Sequence, residues 1–281
     1  MLTKHNPVLK LWEEKRKMKK RKTSTRNFIM IGALSMFLMS TPASAATYSD
    51  PYQTPKIHGY EYYFESMVWD RNPPGNDNTH PTVEAVAFVK SIGTNVPVGY
   101  MAGQARLFNS AGELRSASSM TYNDSKISGI YVYSPRTTTS GEYYAQSRAE
   151  FYNGDGYTRY TGYKSPIQVL GKSTKIAKVI DDLMLKTEYD VNSNGETYGS
   201  ALSEYTIGEE PDLISAVGTN GIKGYVRADD LTPNVSSIEE AIEQNGDNGD
   251  VRTIPLYDVD GSTVLGEFEL ITHYELKTDI E

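Results

Sequence analysis

Polar and apolar residues alternate with a period of two over long stretches beyond residue 58, so strands dominate the expected fold. Between Val98 and Phe108, Met101, Gly103, Ala105 and Leu107 share one face while Tyr100, Gln104 and Arg106 share the other. The clearest case is the hairpin over 141–162. Tyr143, Ala145, Ser147, Ala149 and Phe151 form one face, and Tyr144, Gln146, Arg148, Glu150 and Tyr152 the other. Asn153-Gly154-Asp155-Gly156 then supplies the positive φ values of a tight turn, and Tyr157–Tyr163 runs back. Further strands are expected over 59–69, 82–92, 114–122 and 127–133. Turn-rich segments separate them, among them a Pro- and Asn-rich loop over 71–81. This pattern predicts an antiparallel β-sandwich over 58–170, preceded by an arm over 46–57 that lacks periodicity and contains Pro51 and Pro55.

The pattern changes after residue 170. In the linker 171–187, Ile176, Val179, Ile180, Leu183 and Met184 recur at helical spacing, and a strand from Val179 into Tyr189 competes with that helix. A turn-forming segment follows over 190–200. Pro211 in a first turn and Gly218 as a stop predict a short helix over 210–218, and Ile222–Arg227 reads as a strand. Ser236 and Glu239 match a capping box that opens a helix running to about Gln244. After an acidic loop over 244–250, strands at 253–257 and 264–271 are joined through 258–262. Residues 188–281 therefore read as a small α+β domain, and the whole chain as mainly β.

One apolar stretch fits neither part. From Met18 to Ala46 a basic run (Lys19, Lys20, Arg21, Lys22, Arg26) precedes an apolar run from Phe28 to Met39, and small residues follow at Ala43, Ser44 and Ala45. This is the plan of a cleaved secretory signal, and the apolar run is too short for a stable anchor of ~20 residues. Export with cleavage after about Ala45 is expected, leaving no transmembrane anchor in the mature form. Trp12, Glu13 and Glu14 sit poorly in a positive leader, which points to translation from Met18; a long leader from Met1 is the alternative.

Removing the leader changes the electrostatics. The full chain carries −8, whereas residues 46–281 hold 18 basic and 34 acidic residues, for −16. Nearly all the excess lies beyond residue 171, and fifteen of the 21 tyrosines lie before it. Two units with different surfaces are implied. Phosphate recognition needs clustered Lys and Arg, so a nucleic-acid partner is excluded for the acidic half. The chain has no Cys, which rules out disulfides, thiolate nucleophiles and Cys-type zinc sites.

Candidate chemistry is sparse. Asp190, Asn192 and Asn194, with Gly195 after them, match the start of a D-x-N-x-N-G calcium loop. The twelfth position is Ala201 rather than Glu, and an Asx turn explains the same residues. His58, His80 and His273 show no metal-ligand spacing, and no G-x-S-x-G motif is present. Carboxylates are plentiful without a spacing that singles out a pair. Tyr144, Tyr152, Tyr157 and Tyr160 are the candidate binding residues: such rings can stack on wall polymers, although cross-strand packing uses the same residues.

The segments NSNGETYGSA (192–201), EEPDLISAVGTNGIKGYVRADDL (209–231), SSIEEA (236–241) and RTIPLYDVDGSTVLGEFEL (252–270) resemble a module near the C-terminus of uncharacterised secreted or surface proteins of Bacillus-like bacteria. A similar segment occurs in some BlaR1-type membrane peptidases. The resemblance implies an extracytoplasmic accessory module without an assigned activity; the HExxH motif is absent, so peptidase activity does not carry over. The expectation is a secreted, non-enzymatic binding protein of a Gram-positive-type cell, associated with a wall polymer or a protein. A carboxylate-based extracellular hydrolase and an inhibitor or immunity factor for a basic partner are the alternatives.

Overall fold

The computed structural model describes residues 46–71, 81–171 and 177–278; the export segment, His80 and most of the Pro-rich loop lie outside them. In chain order the first half holds β1 (Ala46–Tyr48), β2 (Tyr52–Gln53), β3 (Tyr62–Arg71), β4 (Thr82–Ser91), β5 (Met101–Gln104), β6 (Arg106–Asn109), β7 (Leu114–Ser118) and β8 (Thr121–Tyr122). It continues through β9 (Gly129–Tyr133), β10 (Gly141–Ala145), β11 (Arg148–Tyr152), β12 (Tyr157–Thr161) and β13 (Gln168–Leu170). The second half holds α1 (Ala177–Leu183), β14 (Asp190–Val191), β15 (Thr197–Gly199), α2 (Glu204–Ile207), β16 (Leu213–Val217) and β17 (Lys223–Arg227). Then follow α3 (Ala228–Leu231), α4 (Ile238–Glu243), β18 (Val251–Tyr257), β19 (Val264–Ile271) and β20 (Tyr274–Lys277).

The fold is mainly β, with a sandwich at its N-terminal end. One sheet runs β1-β3-β4-β9-β20, and β2 also pairs with β3. The arm expected to lack structure is therefore pinned as edge strands. The facing layer is built from strands broken at one level: β5 from β6 at Ala105, β7 from β8 at Ser119–Met120, and β10 from β11 at Gln146–Ser147. A break in a ladder frees backbone N–H groups that must be satisfied. Three serines do so: Ala105 N donates to Ser118 Oγ (2.9 Å), Ala145 N to Ser165 Oγ (2.9 Å) and Ser147 N to Ser66 Oγ (2.8 Å).

The alternation assigns the core face correctly. Met101, Ala105, Leu107, Tyr143, Ala145, Ala149 and Phe151 all pack in the core with Phe64, Val68, Ala87, Val89 and Val132. Gly103 keeps this approach close, because a Cβ would lie 3.1 Å from a Val89 methyl and 3.3 Å from a Val132 methyl. The opposite face is also covered: Phe108 and Tyr144 pack into a second core with Ile214, Val226, Leu256 and Phe268.

That second core is wrapped by a closed ring of strands. β7 pairs in parallel with β19, the ladder continues through β18, β17 and β16, and Ala216 of β16 bridges back to Leu114 of β7. At the other end, β20 returns to β9 and extends the first sheet. The change in charge and tyrosine content near residue 171 is thus a change of surface, while the hydrogen-bonded sheets run across it.

Two local readings shift. Residues 213–217, expected as a helix, form β16. A run this short, four apolar residues around Ser215, is ambiguous in sequence, and placement between β15 and β17, with Leu213, Ile214 and Ala216 buried, selects the strand. The capping box is displaced by one residue. Ser237 accepts from Glu240 N (3.1 Å), and the Glu240 carboxylate accepts from Ser236 N (2.8 Å). The helical spacing in the linker appears as α1, with Ile180 buried and Leu183 and Met184 packed on the second core.

Candidate functional site

The polar face of the broken layer carries a buried charge network. Arg106 is fully buried, and its Nη1 donates to Glu210 Oε1 at 2.6 Å. Arg148 Nη2 reaches Glu210 Oε2 at 2.7 Å and Glu204 Oε2 at 3.1 Å. Glu210 thus bridges two arginines of the first half from the loop between α2 and β16. Burial and the adjacent Arg148 lower the pKa of Arg106 against the pull of Glu210. For Arg148 burial acts in the same direction, but Glu210 and Glu204 outweigh it and the net shift is upward. A second pair lies along β11, where Arg159 Nε donates to Glu150 Oε1 (2.6 Å) and Tyr122 Oη to Glu150 Oε2. Burial, followed by the charge of Glu150, drives the Tyr122 phenol far above its usual range.

Where this network meets the edge of the layer, a cleft opens with a volume of about 300 Å³. Edge strand β12 supplies Arg159, Tyr160 and Thr161, and Gly162 and Tyr163 follow it. Tyr52 comes from β2, Glu204 and Tyr205 from α2, and Gln146 from the break between β10 and β11. The rings of Tyr52 and Tyr163 are 5.6 Å apart, and those of Tyr52 and Tyr160 are 5.7 Å apart. Tyr163 and Tyr205 are exposed. Burial and the neighbouring Tyr52 push the Tyr160 phenol upward, so it stays a neutral donor.

The polar groups in the cleft wall differ in how far they are engaged. Thr161 Oγ1 donates to Glu204 Oε1 (2.9 Å). Arg159 also donates to Thr232 O (3.3 Å), so its cationic head is turned to protein partners. Gln146 is almost wholly buried; its Nε2 donates to Gly162 O (3.4 Å), while Oε1 has no partner. An unsatisfied buried acceptor costs about 1–3 kcal/mol.

The four candidate tyrosines do not form one surface. Tyr144 is fully buried and stacked on Phe108 at 5.3 Å, so the structure removes it from any contact surface. Tyr152 and Tyr157 belong to a separate aromatic group with His58, Tyr100 and Tyr122, and Tyr157 Oη donates to Gly99 O (2.7 Å). Tyr160 alone of the four reaches the cleft. Another aromatic row lies on the outer face of the first sheet, where Phe88 stacks on Tyr131 (4.2 Å) and Arg71 lies over Trp69 (4.4 Å). Tyr52, Gln146, Arg159, Thr161, Glu204 and Tyr205 are site residues that sequence reasoning did not single out.

The calcium candidates are used locally. Asp190 pairs with Lys186 (2.7 Å), whereas Asn192 Oδ1 accepts from the backbone of Asn194 and Glu196 (2.9 Å each). Asn192 and Asn194 donate across to Val259 O and Asp260 O, tying this turn to the one joining β18 and β19. Among the described residues no group of three or more His, Cys, Asp or Glu side chains is arranged to hold a metal ion. His58 packs against Tyr100 and Tyr152, and His273 against Tyr133. Among the described residues no helix is long and apolar enough to cross a membrane. No family model matches the chain, and comparison with curated proteins and with solved structures gave no match either.

Proposed function

We propose that this chain is an exported, non-enzymatic binding protein of a Gram-positive-type, Bacillus-like cell, held at the wall or another envelope polymer. The observation that carries this reading is the cleft: aromatic rings line it, while the charged groups around it are spent on one another. A carboxylate hydrolase needs a carboxyl placed to protonate a leaving group. Here Glu204 and Glu210 share Arg148, and Glu150 is tied to Arg159 and Tyr122. The export signal over 18–46 and the Cys-free composition fit an extracytoplasmic setting.

The test is retention of residues 46–281 on purified cell wall, measured at low and high salt. Aromatic contacts survive salt, whereas surface ion pairs are screened. Retention at both salt levels supports the proposal. Retention that disappears in high salt favours instead a basic partner for the acidic half, which would then act as an inhibitor or immunity factor. No retention at either salt level overturns the polymer reading.

A further inference from the structure

We propose that the tyrosine-lined cleft is a saccharide subsite that takes one neutral pyranose ring of a glycan. This rests on the polymer-binding reading above and narrows it to a ligand class. A pyranose ring has two chemically different parts, an apolar C–H face and a rim of hydroxyls. The cleft presents a counterpart for each. Tyr52, Tyr160, Tyr163 and Tyr205 line it, and the negative quadrupole of an aromatic ring attracts C–H groups. Thr161 and Glu204 offer the hydrogen-bonding groups that a hydroxyl rim uses. A volume of about 300 Å³ sits at the small end of ligand sites, which suits one ring rather than a long chain segment. The site lies at an edge strand and is bordered by exposed Tyr163 and Tyr205, so a polymer can continue beyond the bound unit.

Neutrality follows from the charges. Arg159, the cation in the wall, is committed to Glu150 and to Thr232 O, and Glu204, the carboxylate in the same wall, is paired with the buried Arg148. A phosphate or uronate would meet that carboxylate without a free guanidinium to pair with. The excess of acidic residues in the mature chain acts in the same sense.

The experiment titrates residues 46–281 with tetrasaccharides of β-1,4-N-acetylglucosamine, β-1,4-glucose and α-1,4-glucose, and with polyglycerol phosphate as the anionic probe. Binding is followed by calorimetry up to millimolar ligand. At least one neutral tetrasaccharide should bind and polyglycerol phosphate should not. Tyr163→Ala and Tyr205→Ala, both at exposed positions, should each weaken binding roughly tenfold. Thermal melting of each variant confirms that the fold is intact. The proposal is overturned if none of the neutral tetrasaccharides binds, if polyglycerol phosphate binds in their place, or if both variants bind as tightly as the parent. Wall retention that persists in both variants sinks the saccharide subsite and leaves the polymer reading standing. Loss of wall retention in the parent protein sinks the broader reading.

Discussion

Glu210→Ala is the most informative single change for stability. The carboxylate joins Arg106 at 2.6 Å and Arg148 at 2.7 Å, and the three side chains are only 8%, 0% and 4% exposed. Solvent therefore does little to screen the interaction. Removing one partner of a buried ion pair costs about 3–5 kcal/mol, mainly because it strands the opposite charge. Arg148 keeps Glu204 after the change. Arg106 keeps only its bond from Nε to Gln146 O (3.2 Å), and its Nη2 already lacks a partner. The expected loss is about 4 kcal/mol, against about 0.5 kcal/mol for an ordinary surface substitution. In a unit of this size that corresponds to a fall in Tm of roughly 10 °C.

The assay is equilibrium unfolding in urea, a neutral denaturant that does not screen charge, followed by intrinsic fluorescence. A shift in midpoint at constant slope reports stability alone. A second variant separates the cause from mere loss of volume: Arg106→Met, Arg148→Met and Glu210→Leu together remove the charges and keep apolar bulk. Buried ionic clusters replaced in this way are often neutral or stabilising, so the triple variant should recover most of the loss. A Glu210→Ala midpoint within about 1 kcal/mol of the parent would refute the claim that these arginines are stranded without it.

Three further outcomes test separate parts of the fold. Ser237→Ala removes the side-chain cap on Glu240 N and should cost about 1 kcal/mol, whereas Ser236→Ala, at the position first matched by the sequence pattern, should cost less; urea midpoints decide between them. Tyr62 is fully buried, stacked on Phe151 at 4.1 Å, and its hydroxyl has no partner. Tyr62→Phe keeps the stack and relieves an unsatisfied group, so thermal melting should show no loss and a small gain. Asp260 is held at a pKa of about 2 by hydrogen bonds from Thr263 and Ser262. A depressed carboxylate contributes stability above its unfolded value near 4, and that contribution disappears as pH falls from there toward 2. Carboxyl NMR titration should find the Asp260 midpoint near 2; a midpoint at the ordinary aspartate value would contradict the turn geometry.

The first arm of the hairpin, residues 141–152, shows what the pattern of residues can and cannot carry. Alternation assigned every one of its core-facing residues to the right side, because the pleat alone determines that. It left open what lies on the other side. Gln146, Arg148 and Glu150 read as a solvent face, yet Glu204 and Glu210 cover it from far along the chain; Arg106 and Glu210 are separated by 104 positions. No local rule reports a partner at that distance. The closure of β7 against β16 and the return of β20 to β9 are non-local in the same way. Segment 213–217 failed for a different reason: a short run of four apolar residues around Ser215 satisfies both periods, and only the neighbouring strands break the tie. The cleft combines both limits. Tyr160 and Tyr163 belonged to the recognised tyrosine-rich strand, whereas Tyr52 and Tyr205 arrive from segments whose pairing and helix formation depend on the rest of the fold.

Glu204 links the two features that define this surface. One of its oxygens accepts from Arg148 in the buried network, and the other accepts from Thr161 in the cleft wall. The helix that carries it, α2, is four residues long, far below the length at which a helix holds itself together in water. Its position comes from outside: the ion pair at Glu204, the left-handed Gly208 that ends it, and the bond from Thr206 Oγ1 to Lys186 O. Tyr205, on the same helix, is therefore placed by the network that joins the halves. A binding surface gains affinity when its groups are ordered before the ligand arrives. On this argument the acidic half contributes to recognition by setting the shape of a neutral aromatic cleft, and its large negative charge need not meet the ligand at all.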